Sequence, residues 1–460
     1  MDGHESRSCW PQPALYMNVL FTNPPWWEPT GKLWPRFRAG VRAGSRWPFT
    51  YEDSTVFPQT LIPRSYAPYP FFMGYAAPYL EKVTGARVTL RDSIALRESV
   101  KSYWKFVSRQ KWDFIFLESA TPSWKVDQEC IQALHTKQPD AKIVLCGPIT
   151  ARDPEKILAE LPVHACVQGE YEKGSVRVVK GESGIIRHDL LTVKEMNEAP
   201  HPWFDAKVNW RYFDSNPRGQ KFPHLQIWSS RGCPYKCIFC VWPATMTGND
   251  PDGTSARSVR HYKREYLQPF LEKCLREATI RSIYFDDDTF NLGSKHTLEM
   301  CGMMRDLRVP WSAMCRADTI KMDVWNEMKE SGCFGVKLGF ESGNQFVVDK
   351  IVNKHLDLNY AADVVRHLKK IGMTVHGTFT YGLPGETPAQ RQETKKYIAS
   401  LPFDSVQESG TAEIEGTPLA TLRRSGALKA YENAKIDENY QHHVDGNKKY
   451  QQLARALQEA

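Results

Sequence analysis

Three cysteines near the middle of the chain are the residues whose type and spacing point most clearly to chemistry. Three residues separate Cys233 from Cys237, and two separate Cys237 from Cys240. Structural zinc takes four protein ligands, and the nearest further candidates lie nine residues before the triplet, at His224, and twenty-one after it, at His261. Three thiolates instead fit a four-iron cluster that leaves one iron open to a small chelating ligand. Zinc and plain buried thiols remain the alternatives.

The sequence before the triplet predicts where such a cluster would lie. Residues 225–228 are a short apolar run that predicts a strand, so the cysteines would follow its carboxyl end. Barrel enzymes keep their active sites at this end of their strands. An open iron there can bind the amino and carboxylate groups of S-adenosylmethionine (SAM) and pass one electron to its sulfonium, with the protein supplying orientation and exclusion of water.

The elements that must hold this loop form a series of alternating strands and helices. Amphipathic stretches, such as residues 359–370, separate six apolar runs of strand length. We expect a partial (β/α)6 barrel over residues 224–425 and a helical tail over 426–460 that packs across its open side. The six expected strands are 225–228, 282–285, 311–315, 335–340, 374–379 and 405–408.

A second α/β pattern occupies residues 14–195, after an N-terminal tail of residues 1–13. Its alternation predicts a doubly wound, Rossmann-like parallel sheet with strands at 15–21, 86–90, 113–117, 142–146 and 164–167. An insertion at about residues 28–66 is interpreted as a lid, and residues 196–223 as a linker. Such sheets bind ligands at the carboxyl ends of their strands.

The cysteine triplet, with Phe239 before its last member, resembles the signature of the radical SAM superfamily. Later segments resemble the motifs of that family's barrel strands: 284–290, 315–318, 339–343, 377–387 and 415–419. Taken singly, the acidic run Asp286 to Asp288 also fits a solvated turn or a divalent-metal loop, and Glu341 also fits a helix-capping acid. The resemblance implies contacts to SAM from Phe239, Asp287, Arg316, Glu341 and Gly382.

The N-terminal domain resembles the cobalamin-binding domain of class B radical SAM enzymes. The resemblance rests on the segments after its first, fourth and fifth strands, at 23–25, 147–148 and 169–172. The N-terminal domain lacks the D-x-H-x-x-G motif, whose His ligates cobalt from below in many cobalamin proteins. Its absence would leave the lower face of the corrinoid water-bound, unligated or capped by another side chain. The residues implied beside the corrinoid are Asn23, Trp26, Ser119, Gly147 and Tyr171.

The resemblance implies a radical C-methyltransferase that acts on an unactivated carbon. One SAM would give a 5′-deoxyadenosyl radical that removes hydrogen from the substrate, and methylcobalamin, methylated by a second SAM, would then supply the methyl group. Three alternatives remain open: a cobalamin-dependent cyclase or rearrangement enzyme, a cobalamin-free enzyme similar to the methylthiotransferases, and a non-catalytic iron–sulfur or nucleic-acid-binding protein.

Composition limits the partners. The net charge is +7 over 460 residues, without a run of five or six basic residues, so nucleic acid is not expected. No apolar segment reaches membrane-spanning length, and the eleven cysteines do not suggest a disulfide framework, so we expect a cytoplasmic protein. The expected partners are a small-molecule or natural-product-type substrate and a one-electron donor such as flavodoxin or ferredoxin.

Overall fold

A computed structural model gives the fold in two α/β parts. The residues it describes are 17–25, 27–28, 36–39, 49–50, 68–96, 98, 100–120, 123–212, 214, 221–242, 257–411 and 413–427. Trp26, most of the expected lid and nearly all of the expected C-terminal tail lie outside these residues.

The N-terminal part is a six-stranded sheet in which every neighbouring pair of strands is parallel. Its strands are β1 (Asn18–Asn23), β5 (Arg87–Asp92), β6 (Phe114–Glu118), β7 (Lys142–Cys146), β8 (Ala165–Val167) and β9 (Gly184–Ile186). Strands β2 (Trp27–Glu28), β3 (Arg36–Ala39) and β4 (Phe49–Thr50) form a small separate sheet. The helices are α1 (Phe71–Thr84), α2 (Val100–Val107), α3 (Trp124–Lys137), α4 (Pro154–Glu160), α5 (Tyr171–Val179) and α6 (Val193–Glu198).

The strand order of this sheet is β5-β1-β6-β7-β8-β9. The chain leaves β1 towards β5 and returns to its other side at β6, so the winding direction reverses between β1 and β6. A crevice opens at such a switch point, outside the carboxyl ends of the two strands, and ligands bind there. Asn23 ends β1 and Ser119 follows β6, so both lie at this edge.

The C-terminal part is a second six-stranded parallel sheet whose strands lie in chain order. They are β10 (His224–Ile227), β13 (Ser282–Phe285), β14 (Trp311–Cys315), β15 (Cys333–Glu341), β16 (Thr374–Tyr381) and β17 (Ser405–Gly410). The pair β11 (Ser230–Arg231) and β12 (Arg260–His261) is antiparallel. The helices are α7 (Arg264–Glu277), α8 (Ser294–Leu307), α9 (Met322–Glu330), α10 (Leu358–Lys370), α11 (Pro388–Ala399) and α12 (Pro418–Arg424). This order confirms the predicted partial barrel, because a parallel sheet wound in one direction curls without reversing.

Aromatic side chains join the two parts. Phe71 on α1 stacks on Trp228, which follows β10, with ring centroids 4.4 Å apart. The Tyr69 hydroxyl donates a hydrogen bond to the Trp203 carbonyl at 2.5 Å, so the start of the expected linker packs against the N-terminal part. One continuous hydrophobic cluster includes residues of both sheets. The two sheets therefore pack against one shared core.

Within the described parts of the chain, none of the helices combines the length and the apolar character needed to cross a lipid bilayer.

Candidate active site in the barrel

A cavity of about 790 Å³ opens at the carboxyl-terminal halves of the barrel strands. The three cysteines of the triplet line one side of it. Facing them are side chains from β14, β15, β16 and β17, among them Glu341 and Thr380, together with Arg316 directly after β14. The volume lies within the range of about 300–1,000 Å³ that is usual for ligand sites. The elements thus bring the sequence-predicted ligands and four strand ends to one chamber.

Backbone contacts hold the cysteine loop in place. Gly232 has φ +91°, and a Cβ there would lie 2.2 Å from the Ser258 carbonyl oxygen, so only glycine fits this turn. The Gly232 N–H donates to Asp288 Oδ2 at 2.9 Å. Further along the loop, the Ile238 N–H donates to the Val352 carbonyl. The loop is therefore anchored to the segments that follow β13 and β15.

The surroundings of the three thiols disfavour the free thiolate. Burial raises the pKa of Cys233 to about 11, and burial also raises the pKa of Cys237 and of Cys240. A buried thiol stays protonated unless a cation compensates its charge. Among the described residues, no group of three or more His, Cys, Asp or Glu side chains is placed to hold a single metal ion. A cubane does not require that convergence, because its thiolates bind different irons.

Glu341 reaches the cavity through an unusual backbone conformation. It ends β15 at φ +70°, where the register with β16 shifts by one residue. A left-handed non-glycine residue costs roughly 1–3 kcal/mol and persists where the surroundings hold it. Here Lys354 Nζ contacts Glu341 Oε1 at 3.0 Å, and Thr380 Oγ1 donates to Oε2 at 3.2 Å. The bulge thus aims a paired carboxylate into the chamber.

Arg316 lines the cavity and also supports the cysteine loop. Its Nε and Nη2 donate to Asp318 at 2.5 and 2.9 Å, and Nη2 also donates to the Lys354 and His355 carbonyls. Its guanidinium lies 3.6 Å from the ring centroid of Tyr235, a residue that stands between the first two cysteines in the sequence. Burial opposes the charge on Arg316, but Asp318 outweighs it and raises the pKa of the guanidinium. Arg316 therefore stays cationic beside the loop.

The acidic run after β13 differs in orientation from the prediction. Asp288 lines the cavity, whereas Asp287 lies behind its wall. Asp287 accepts hydrogen bonds from the backbone N–H and hydroxyl of Ser229 and from the hydroxyl of Ser230. Burial raises the pKa of Asp287 to about 6, against the lowering effect of these donors. Asp287 therefore connects the segment after β13 with the segment after β10 through hydrogen bonds, and Asp288 faces the chamber.

The two remaining residues predicted for SAM lie in different places. Phe239 lines the cavity and packs with Val347, Ile351 and Leu383. Gly382 is not among the lining residues; it has φ +74°, and its N–H donates to Glu386 Oε2 at 2.9 Å.

Several lining residues were not singled out from the sequence. Lys354 follows a buried apolar segment. Its pairing with Glu341 is visible only in the folded structure. Lys337 points inward from β15 and contacts Asp214 Oδ2 at 2.7 Å, so the expected linker supplies a residue to the floor of the chamber. One sequence signal could have pointed to Lys354: the polar stretch Asn-Lys-His at 353–355, which follows a hydrophobic run and indicates a turn.

Four of the five residues predicted for the corrinoid lie at the carboxyl edge of the N-terminal sheet; the fifth, Trp26, is outside the described residues. Asn23 is 3% exposed, and its Nδ2 has no hydrogen-bond partner. Ser119 donates to Asp127 Oδ2 at 2.5 Å, and the Tyr171 hydroxyl donates to Glu118 Oε2 at 3.0 Å. Gly147 passes close to Ser119 at φ +98°. An orphaned amide at a topological switch point fits a polar ligand bound there.

We expect Gly147→Ala to destabilise the protein by about 2–3 kcal/mol, because the new Cβ adds overpacking to a disfavoured φ. That Cβ would lie 2.2 Å from the Ser119 carbonyl oxygen. Gly85→Ala is the matched control, since Gly85 has φ +70° with nothing within 4 Å and tests φ alone. Urea unfolding measures both free energies, and equal losses in the two variants would contradict the close approach.

Comparison with known proteins supports the interpretation of the cysteine triplet as a cluster-binding motif. Residues 229–398 match the model of the radical SAM superfamily. An uncharacterized methyltransferase of Pyrococcus horikoshii is 26% identical over 301 residues, which are 60% of this chain and 62% of the relative. The chain spans about half to three fifths of the length of the curated relatives it matches first.

Two solved structures share the whole fold. The radical SAM methyltransferase TsrM from Kitasatospora setae, with cobalamin and a [4Fe-4S] cluster bound, is 15% identical at a TM-score of 0.64 and covers 88% of this chain and 77% of its own. The cobalamin-dependent SAM radical enzyme OxsB, with aqua-cobalamin and SAM bound, is 16% identical at a TM-score of 0.65 and covers 96% of this chain and 66% of its own. Residues 229–398 therefore form a radical SAM domain, and the chain shares the two-part fold of these two solved structures.

Proposed function

We propose that this protein is a cobalamin-dependent radical SAM enzyme that transfers a methyl group to an unactivated carbon of a small molecule. The observation that carries the proposal is the chamber that holds the cysteine triplet, Arg316 and Glu341 together at the mouth of the barrel. A second ligand edge, on the N-terminal sheet, is tied to the same loop by a shared core. The two sites suit one enzyme with two cofactors.

The donor set fits a four-iron cluster and SAM. Cys233, Cys237 and Cys240 would hold three irons, and the fourth would face the chamber. When bound, the cluster supplies the electron that breaks a carbon–sulfur bond of SAM. The chain binds and orients: the Glu341 carboxylate can accept hydrogen bonds from the ammonium or hydroxyl groups of SAM, and Asp288 offers a second acceptor. Phe239 covers the chamber with an apolar face that excludes water.

The carboxyl edge of the N-terminal sheet fits the corrinoid. Asn23 would donate its unpaired Nδ2 hydrogens to a polar edge group of that cofactor. Ser119 and Gly147 would shape the crevice at the switch point, and Tyr171 would close it from the start of α5. We include Trp26 in this site on the sequence resemblance. When bound, the corrinoid supplies a methyl carrier.

Methyl transfer is favoured over the cobalamin-free alternative by the remaining cysteines. A methylthiotransferase-like enzyme would require a second cluster. Of the described cysteines outside the triplet, Cys130, Cys146 and Cys166 are buried apolar side chains in the core of the N-terminal part. Burial raises the pKa of each of these thiols. They are packing residues, which is the usual role of buried cysteines.

We further propose that the substrate is a small molecule, that a flavodoxin- or ferredoxin-type protein supplies electrons, and that the enzyme works in the cytoplasm without nucleic acid. The cavity volume supports a small-molecule substrate, and the small net charge of the chain supports the absence of nucleic acid.

Label transfer tests the proposed function. The protein is purified without oxygen, supplied with iron, sulfide and cobalamin, reduced, and given SAM that carries a deuterated methyl group. We expect the label on the bound corrinoid, detected by mass spectrometry, together with 5′-deoxyadenosine. A preparation that releases 5′-deoxyadenosine but retains no corrinoid would overturn the cobalamin assignment. Retained but unlabelled corrinoid would favour the cyclase or rearrangement reaction over methyl transfer.

A further inference from the structure

Four charged side chains are buried together where the N-terminal part meets the cysteine loop. Glu170, Glu172, Arg231 and Arg260 are each at most 6% exposed. Arg260 Nη2 contacts Glu170 Oε1 at 2.5 Å, and Arg231 Nη1 contacts Glu172 Oε1 at 2.7 Å. Arg231 Nη1 also lies 3.4 Å from Glu170 Oε1, so both arginines share one carboxylate. The four residues form a single network of two carboxyl groups and two guanidinium groups.

The network joins the two proposed cofactor sites. Arg231 and Arg260 face each other across the β11–β12 pair, and Arg231 stands two residues before Cys233. Glu170 and Glu172 flank Tyr171, whose hydroxyl donates to Glu118 at the end of β6. A chain of direct contacts therefore runs from the first cysteine to the ligand edge of the N-terminal sheet.

Aromatic rings fix the plane of the Arg231 guanidinium. Its carbon lies 4.5 Å from the ring centroid of Tyr75 on α1, 5.2 Å from Trp228 and 5.6 Å from Tyr262. Tyr75 belongs to the N-terminal part, whereas the other two belong to the barrel part. The guanidinium is thus held by rings from both sides of the interface, a geometry that a flexible ammonium does not reproduce.

Stability alone does not explain such a network. Well-packed apolar side chains often stabilise a core as well as a buried ion pair does, because the charges lose their hydration. A planar guanidinium that contacts both parts of the protein adds a defined geometry to their interface. Burial opposes ionisation of Glu170, yet Arg231 and Arg260 outweigh it and lower the pKa of this carboxyl. The shared carboxylate therefore stays charged between the two arginines.

We propose that Arg231 is a positioning residue that fixes the separation between the cysteine loop and the ligand edge of the N-terminal sheet, and with it the separation between the two cofactors. The inference rests on the proposed function, because it concerns the geometry between the proposed cluster and corrinoid. Arg231 touches neither cofactor site directly and acts through Gly232 on one side and Glu172 on the other.

Pulsed EPR on the holoenzyme tests the inference without a substrate. Both the reduced cluster and cob(II)alamin are paramagnetic, so the distribution of distances between them can be measured in the wild type, Arg231→Lys and Glu172→Gln. We expect both variants to retain iron and corrinoid but to show a broadened distribution. Because misplacement by about 1 Å can cost on the order of a hundredfold in rate, methyl label on the corrinoid per 5′-deoxyadenosine should fall about ten- to a hundredfold.

Two further variants separate positioning from folding. Arg177→Met removes an exposed arginine of the N-terminal part that pairs with Glu182 at 2.7 Å, and it should match the wild type in every readout. The double variant Arg231→Met with Glu172→Leu removes a buried cation together with the acid it contacts, so it should recover thermal stability while the distances stay broad. A wild-type distribution in this double variant would show that only charge balance matters and would overturn the inference.

The positioning role of Arg231 and the proposed function can be refuted separately. Unchanged distance widths and label ratios in both Arg231→Lys and Glu172→Gln would refute the positioning role and leave the proposed function standing. A wild-type protein that binds no corrinoid would refute the proposed function, and the positioning role with it.

Discussion

Cys237→Ala is expected to abolish 5′-deoxyadenosine release. The Cys237 thiol lines the chamber between the other two cysteines of the loop, and three thiolates leave no spare ligand for a four-iron cluster. We expect the rate to fall by at least about a thousandfold, which corresponds to ~4 kcal/mol of lost barrier reduction. Quantification of 5′-deoxyadenosine by mass spectrometry after anaerobic reduction measures the loss.

The control for this variant is a thiol outside the cavity. Cys274 lies fully buried on α7 and is not among the residues that line the cavity. Cys274→Ala should retain the iron content and the turnover of the wild type, so a general effect of removing a thiol can be set aside. Normal turnover in Cys237→Ala would show that the triplet is not the cluster site.

Glu341→Gly is expected to weaken SAM binding while leaving the cluster intact. Glycine is at ease at φ +70°, so this variant removes the carboxylate without disturbing the bulge between β15 and β16. A hydrogen bond to a charged group contributes about 1.5–3 kcal/mol, so the Kd for SAM should rise roughly ten- to a hundredfold. Titration of the reduced protein with SAM, followed by EPR, measures the Kd.

The matched control replaces an exposed acid elsewhere in the barrel. Glu327 pairs with Arg305 on the outer helices and is not among the residues that line the cavity. Glu327→Gln should bind SAM as the wild type does. If Glu341→Gly also bound SAM normally, Glu341 would be a support for Lys354 and not a SAM contact.

The sequence sufficed for features that local pattern controls. The spacing of the triplet puts three thiols on one loop in any fold, and the alternation of apolar runs with amphipathic stretches predicts parallel strands. The fold class was confirmed in both parts, and the radical SAM model matches residues 229–398, as the cysteine triplet predicts. The short sixth strand β9 was missed, because three residues carry too little periodicity to stand out.

Features that depend on register or on distant contacts were beyond the sequence. Successive residues at a strand end point in different directions, so a shift of one residue decides that Asp288 and not Asp287 faces the chamber. Glu341 takes its left-handed conformation where the register of β15 and β16 shifts, and its partner Lys354 lies thirteen residues further along the chain. Asp214 reaches the floor from a segment without periodicity. In each case the partner is distant in sequence, so no local pattern could have predicted it.

The most direct test of the central claim is EPR spectroscopy of the anaerobically reconstituted, reduced protein before and after SAM is added, with 5′-deoxyadenosine measured in the same sample. The account predicts the signal of a reduced four-iron cluster, a change in that signal when SAM binds the open iron, and 5′-deoxyadenosine from the wild type. A colourless protein that holds only zinc and leaves SAM uncleaved would contradict it.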